Sequence, residues 1–361
     1  TRVSIVPEVA GKLAAAGARV LIERGAGVSA QFPDALYRQV EWADSAAAVL
    51  AQCDILLTVQ PPTLEQIEAL RPGTVVVGFM QAHARKQEVA ALRDKRITSF
   101  AMELVPRISR AQSMDALSSQ AAIAGYKAVL IAANTLDRFL PMLTTAAGTI
   151  RPAQVLIVGV GVAGLQAIAT AKRLGAVVEA YDVRSATREQ VKSLGAKFIE
   201  TGVSAEGTGG YARELTAEEK AKQQEVLEAR IALADAVITT AAIPGRAAPR
   251  IVSRAAVERM KAGAVIVDIP AESGGNCELT RAGETVVHNG VKIVGPVNLP
   301  AQLAYHASEM YARNLLNLIK PALDKNGALA IDWNDEVFAQ SCLTHDGTIK
   351  HEATRKAVEG T

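Results

Sequence analysis

Short apolar runs separated by helical periodicity mark the chain from its start. "PEVAGKLAAAG" has the pattern of a helix, with Pro7 suited to its first turn and Gly17 to its stop. The runs "RVLIERG", "DILLTVQ", "TVVVGFM" and "ITSFAMEL" follow, with helical patterns between them. This βαβ rhythm over residues 1 to about 105 predicts a parallel sheet. "SSQAAIAGYKAVLIAANTLDRFL" then predicts one long helix over 118–140, broken by Pro141 and Gly148. A second βαβ series begins at "AQVLIVGVG" and continues through "VVEAYD", "KFIE", "AVITTA" and "AVIVDIP". "TVVHNGVKIVG" predicts a hairpin on an Asn-Gly turn. A helix over "LAYHASEMYARNLLNLI" comes next, and a tail, "FAQSCLTHDGTIK", carries an Asp-Gly turn and is expected to pack back on the first series. The first helix opens without a strand before it, as though one preceded it.

Composition narrows the choices. A length of 361 residues favours two domains. Hydrophobic residues at 49% with aromatics at only 4% suit aliphatic helices packed on parallel strands. The formal net charge of +2 supplies no broad basic field for nucleic acid or anionic lipid, and so few aromatics give no base-stacking surface. Cys53, Cys277 and Cys342 are far apart and show no C-x-x-C spacing, which points to a reducing compartment rather than to disulfides or zinc. No apolar run is expected to reach membrane-spanning length, and no signal peptide is expected.

The sharpest motif is "VLIVGVGVAGLQAIATAKRLGAVVEAYD". A strand meets Gly159-x-Gly161-x-x-Gly164, a helix starts at once, and a second strand ends in Asp182. Glycines here allow a tight turn and close approach of a pyrophosphate to a helix N-terminus. A carboxylate at Asp182 accepts the adenosine ribose hydroxyls and repels a 2′-phosphate, which favours NAD(H) over NADP(H). Arg184, two residues on, offers a minority route to NADP. "GAGVSA", Gly25 to Ala30, mimics the motif, but no helix is expected to open on it and no acid follows a strand at the right distance, so it reads as an ordinary turn. One nucleotide per chain is expected. A second glycine-rich stretch, Thr201 to Lys220, has the length of a lid or a solvated loop, with Tyr211 placed to cap the nicotinamide end. In "DIPAESGGNCEL", past the fifth strand of this series, Glu272 or Asn276 is a candidate to line the ligand crevice, and Gly274 and Gly275 are candidates for a turn.

"RISRAQSMDALSSQ", Arg107 to Gln120, is a polar cluster just before the long helix, and it contains no His, Cys or Lys. Reducing a ketone or imine needs a general acid within reach. Hydride transfer to a second pyridinium ring neutralises that ring and needs no proton. The cluster suits the second case, with a buried Asp115 as the remaining donor for the first. Read from the residues alone, the same stretch also fits a helix N-terminus, with Ser118 as cap and Arg107 with Asp115 as a surface ion pair.

These segments, together with "GTGGYA", "AESGGNCEL" and "VKIVGPVNLP", resemble the NAD(H)-binding, soluble alpha-subunit portion (domain I) of proton-translocating NAD(P)+ transhydrogenase over essentially the full length. The resemblance implies an α/β fold of two Rossmann-like, doubly wound parallel-sheet domains separated by a cofactor cleft. It assigns 1–118 plus 308–361 to a first domain without its own nucleotide, and 119–307 to the NAD(H)-binding domain with bridging helices. It implies that Arg107, Asp115 and Ser118 hold the carboxamide and ribose of the nicotinamide nucleotide, that the run Arg107, Ile108, Ser109 and Arg110 binds the cofactor, and that Gln112 reaches the partner's nucleotide. Gly159, Gly161, Val162, Gly164, Asp182, Val183 and Arg184 fall on the adenosine and pyrophosphate side; Gly210, Gln223 and Ala242 lie near the cofactor, with Tyr211 on a mobile loop. NAD(H) on this chain, NADP(H) on a partner domain, a membrane component and a homodimer are implied. Some alpha subunits continue into transmembrane helices; this chain stops at "TRKAVEGT", so the membrane portion is expected on a separate chain or beyond a cut. The related alanine dehydrogenases carry a catalytic His and a substrate Lys where this sequence has Gln81 and Gln60, with His83 two residues on from the first. An amino-acid dehydrogenase of the alanine type and a non-catalytic NAD-binding subunit are the alternatives.

Overall fold

The first helix, Pro7–Ala15, begins on its proline and stops before Gly17, which takes φ +90°. Its buried face, Val9, Ala10 and Leu13, packs with Val20 and Ile22. The structure, a computed structural model, describes residues 1–202, 216–242 and 246–360. The chain divides into one unit of Thr1–Gln120 with Pro300–Thr361 and another of Ala121–Leu299.

In the first unit, β1 (Leu21–Glu23) pairs in parallel with β2 (Glu41–Ala43) as a separate two-stranded sheet. The sequence pattern does not mark β2, which offers only three residues to read. β3 (Ile55–Leu57), β4 (Val75–Gly78) and β5 (Thr98–Ala101) are parallel neighbours. Every residue of β4 and β5 is buried, as a continuous β-branched and apolar run requires when both sheet faces are covered.

The long helix runs Ala116–Thr135 rather than over 118–140. Its start is set by Asp115, whose carboxylate accepts the Ser118 amide at 2.9 Å and the Ser118 hydroxyl at 2.6 Å. After Thr135 the chain turns so that Leu136 and Leu140 enter the core, while Asp137 pairs with Lys292 at 3.0 Å. This helix is also long and apolar enough to cross a membrane by length and composition, which corrects the expectation that none is. Its Ala124, Ala128, Val129 and Ala132 are buried in the core of the second unit, as in any central helix.

The second unit opens with a small hairpin, β6 (Leu143–Thr145) and β7 (Gly148–Ile150), which the sequence pattern does not reveal. Then come β8 (Gln154–Val158), β9 (Val177–Tyr181), β10 (Lys197–Phe198), β11 (Ala236–Thr239), β12 (Val265–Asp268), β13 (Thr285–His288) and β14 (Val291–Val294). The sheet order is β10-β9-β8-β11-β12-β14-β13, parallel throughout except for the β13–β14 hairpin. Asn289 and Gly290 both take positive φ, as the predicted tight turn demands. Leaving β13 aside, this is the doubly wound order in which the direction of winding reverses between β8 and β11, and ligands bind outside the strand ends at that reversal.

The tail forms β15 (Cys342–His345) and β16 (Thr348–Ile349) around Asp346-Gly347 and returns to the first unit, where β15 runs antiparallel to β5. A buried hydrogen bond of 2.7 Å between the Ser99 and Thr344 hydroxyls joins the two strands.

Candidate functional site

β8 ends at Val158, and the next residue, Gly159, has φ +96°, a conformation other residues seldom adopt. Gly161 is the N-cap of the helix Val162–Arg173, in extended backbone and without a side-chain cap, so the first amides of that helix are left for a ligand. Among the described residues a Cβ on Gly161 would meet nothing within 4 Å, so they leave the space before the helix open. A Cβ on Gly164 would collide with the Gly159 carbonyl. The three glycines therefore have three reasons: a left-handed turn, an open approach and close strand-to-helix packing. A Cβ on Gly125, in the long helix, would likewise collide with the Ala163 carbonyl, a contact that leaves no local trace in the sequence.

Asp182 ends β9 with a side chain only 6% exposed. Its carboxylate accepts the Val160 amide at 2.7 Å and the Arg184 amide at 2.8 Å. The Arg184 guanidinium also reaches both carboxylate oxygens, Nε at 2.9 Å and an Nη at 3.1 Å. That hydrogen bond raises the Arg184 pKa above its ordinary value. Val162 and Val183 are exposed apolar side chains on either side of this acid in sequence.

β11 contributes what the sequence did not announce. The Thr240 hydroxyl donates to the Gly159 carbonyl at 2.9 Å and so ties the turn to the strand across the reversal. Asn276, fully buried, accepts the Ala241 amide at 3.0 Å and donates to the Ala241 and Pro249 carbonyls, both at 2.8 Å. It is oriented by Asp268, which accepts the Asn276 and Cys277 amides at 3.0 Å and the Thr239 hydroxyl at 2.8 Å. Asn276 thus stays out of the crevice and clamps both ends of the segment after β11, including the backbone before the exposed Ala242. Glu272 accepts the Asn298 amide at 3.0 Å, and Gly274 and Gly275 form a turn with positive φ. Gln223 is half-buried on the helix Ala217–Leu233. Gly210 and Tyr211, with most of the stretch Thr201 to Lys220, lie outside the described residues.

In the first unit, Ser109–Met114 form a 3-10 segment whose Ala111 and Met114 are buried against Tyr311 and Leu315. The Ser113 carbonyl accepts the side-chain amides of Asn314 and Asn317. Ile108 packs against the same core. Arg107, Ser109 and Gln112 are exposed, and Arg110 is engaged with the Asp335 carboxylate. Asp115 is held by Ser118 and not by Arg107, so the reading of a surface ion pair does not stand and the cap is Asp115 itself.

Nearby in this unit the Gln81 amide donates to the Gln60 side chain at 3.2 Å, and Gln81 has φ +47°. The Glu103 carboxylate accepts the Met80 amide at 3.1 Å and the Gln81 amide at 2.6 Å. Burial pushes the Glu103 carboxyl up. His83 is exposed. In the look-alike motif, Gly25 takes φ +77°, only a 3-10 turn, Val28–Ala30, follows, and a Cβ on Gly27 would lie 3.0 Å from the Phe32 Cβ. That glycine serves packing.

A doubly wound sheet with an open glycine turn and an acid ending the next strand defines a dinucleotide-binding protein of Rossmann type. The alanine dehydrogenase/PNT N-terminal domain matches residues 1–124, and the alanine dehydrogenase/PNT C-terminal domain matches residues 128–352. The chain belongs to this family. Within it, the chain groups with the NAD(P) transhydrogenase alpha subunits. It is 47% identical to the first of the separate parts of the NAD(P) transhydrogenase alpha subunit of Rhodospirillum rubrum, over 98% of this chain and 95% of that one. The structure of transhydrogenase from Sinorhizobium meliloti superposes with a TM-score of 0.87 at 44% identity, covering 96% of each chain. Alanine dehydrogenase of Mycobacterium tuberculosis is 29% identical over 97% of this chain and 91% of its own.

Proposed function

We propose that the chain binds NADH on its second unit and passes hydride directly to NADP+ held by a separate partner domain, a transfer that a membrane component couples to proton translocation. The observation that carries this reading is the open turn Gly159–Gly164 backed by Asp182 at the winding reversal of the sheet. Its geometry fits a dinucleotide: Gly161 leaves room for the pyrophosphate, the uncapped helix N-terminus favours its charge, and Asp182 stands where ribose hydroxyls need an acceptor. The bound nicotinamide supplies hydride chemistry; the protein supplies position. On this reading Arg107, Asp115 and Ser118 hold the nicotinamide end and Gln112 aligns the partner's nucleotide. Orientation alone accounts for rate when no proton has to move, since holding two reacting atoms at about 3–3.5 Å is worth several powers of ten.

The Gln60–Gln81 pair favours this reading over an amino-acid dehydrogenase. Two neutral amides paired at 3.2 Å present neither a cation for a substrate carboxylate nor an acid for a new alkoxide or amine. The name of the Rhodospirillum rubrum relative, which makes it one portion of an alpha subunit, supports a multi-component assembly. On this proposal the chain works at the cytoplasmic side of a membrane, held there by that component. A homodimer belongs to the same proposal: among the described residues the hairpin Leu143–Ile150 joins no larger sheet, and Met142 (65% exposed) and Ile150 (48%) present apolar surface beside it.

The test is stopped-flow hydride transfer from NADH to an NADP+ analogue, with and without the NADP(H)-binding partner, beside an assay for NADH-dependent reductive amination of pyruvate. Transfer that needs the partner, with no amination, is expected. Amination without the partner would replace this proposal with the dehydrogenase.

A further inference from the structure

Asp182 and Arg184 are not two independent features of the strand end. The carboxylate is 6% exposed and the guanidinium 40%, so the cation forms the outer face of the pair. An adenosine approaching the end of β9 meets Arg184 first. The carboxylate does not depend on that side chain for its orientation. One of its oxygens accepts the Arg184 amide and the other the Val160 amide, so it stays in place when the guanidinium moves. Among the described residues the guanidinium is held through the Asp182 oxygens, at 2.9 and 3.1 Å. Val183, between the two residues, is exposed and offers an apolar flank.

We infer that Arg184 is a coenzyme-specificity residue: paired with Asp182 it shields the acid that rejects a 2′-phosphate, and freed from it the guanidinium becomes a ligand for that phosphate. The inference rests on the proposed nucleotide site. A lone carboxylate repels the 2′-phosphate at full strength, whereas a carboxylate covered by a guanidinium presents a dipole with its positive end outward. Arginine is also the side chain best shaped for a phosphate, with several donors in one plane. Preference for NADH in the wild type therefore comes from the acid, reduced by its neighbour. Removing the acid liberates a phosphate ligand already in position, so one substitution reverses the preference. Removing the arginine sharpens the preference.

The experiment is a double-mutant cycle on the intact chain, with NADH and NADPH each titrated by their own fluorescence. Arg184→Ala is expected to weaken NADPH about fivefold or more relative to NADH. Asp182→Ala is expected to tighten NADPH on the order of tenfold, a gain that shrinks with added salt, and the double variant is expected to lack that gain. Asp182→Asn, which keeps an acceptor for the Val160 amide, substitutes for Asp182→Ala if the alanine variant fails to fold. Equal NADPH affinity in the single Asp182 variant and the double variant would overturn the role of Arg184. So would an Arg184→Ala that weakens both coenzymes by the same factor, which is the mark of a purely structural side chain. A wild-type chain that binds neither coenzyme would overturn the nucleotide site itself, and this inference with it.

Discussion

At the carboxyl ends of β4 and β5 the chain fills the space with its own charge; at the end of β8 it leaves that space open. In the first unit the backbone amides of Met80 and Gln81, an arrangement that suits an anion, are taken by the carboxylate of Glu103. In the second unit the helix beginning at Val162 has no side-chain cap, and none of the described residues stands within 4 Å of where a Cβ on Gly161 would be. β4 and β5 are parallel neighbours in one sheet, as are β8 and β11 in the other, and both pairs present strand ends suited to ligands. One has an internal anion and the other invites an external one. An anion site is thus made by omission as much as by the residues present.

The strongest way to break this comparison is Gly161→Ala. Its φ of −83° suits alanine and none of the described residues obstructs a methyl, so thermal melting is expected to be unchanged. NADH affinity is expected to fall on the order of a hundredfold, because the methyl occupies the pyrophosphate's approach. Gly27→Ala in the look-alike motif is the converse control. It is expected to destabilise by about 1–3 kcal/mol through overpacking near Phe32 and to leave NADH binding alone. NADH affinity that survives Gly161→Ala would remove the phosphate cradle.

Gln112→Asn comes next. Asn keeps the amide but is one methylene shorter, so hydride transfer in the presence of the partner is expected to slow by roughly a hundredfold for a misplacement of about 1 Å, with NADH affinity unchanged. Arg107→Ala is expected to weaken both. A Gln112→Asn transfer rate within about twofold of wild type, by stopped flow, would leave this exposed stretch as the approach to a helix cap.

Asn276→Asp probes the support behind the open site. Asn276 donates to two carbonyls, Ala241 and Pro249, which an ionised aspartate would repel. Burial at that position favours the protonated acid, which still donates. NADH affinity of the variant is therefore expected to decline by about tenfold as pH rises through that group's titration, whereas the wild type shows no such step. Parallel profiles for the two proteins would mean the clamp does not position the site.

The smallest effect belongs to the closed site. Burial raises the Glu103 carboxyl above its ordinary value of 4.5, so the folded chain keeps a proton that the unfolded chain has lost just above that pH. Such a group costs stability as pH rises through this window. Urea unfolding of Glu103→Gln is expected to show the wild type losing ground against the variant as pH rises above 4.5, with NADH affinity the same in both. A constant difference across that range would refute the buried charge.

Local patterns carried much of this. The strands β3 to β5 and β8 to β12 were legible because continuous apolar runs of Val, Ile and Leu between helical stretches have few other uses. The hairpin turn at Asn289-Gly290, the tail turn at Asp346-Gly347 and the glycine motif each depend on residues a few positions apart. β2 and the hairpin Leu143–Ile150 were not legible, because strands this short hold no period to read. The end of the long helix was misplaced because Leu136 and Leu140 continue an apolar pattern while the chain itself turns at Thr135.

By itself the sequence determined the class of the chain: two α/β units, one carrying a phosphate turn and an acid about 20 residues apart within a single βαβ unit. Tertiary structure decided which polar groups are engaged and which are available. Glu103 reaches back to Met80 and Gln81, Asn276 spans Ala241 and Pro249, and Thr240 ties down Gly159. Each joins segments brought together only by sheet order, so no local period encodes it. Even Arg184, two residues from Asp182, reads in sequence as a spare cation; only the fold, by burying the acid and leaving the guanidinium at the surface, makes it a cover.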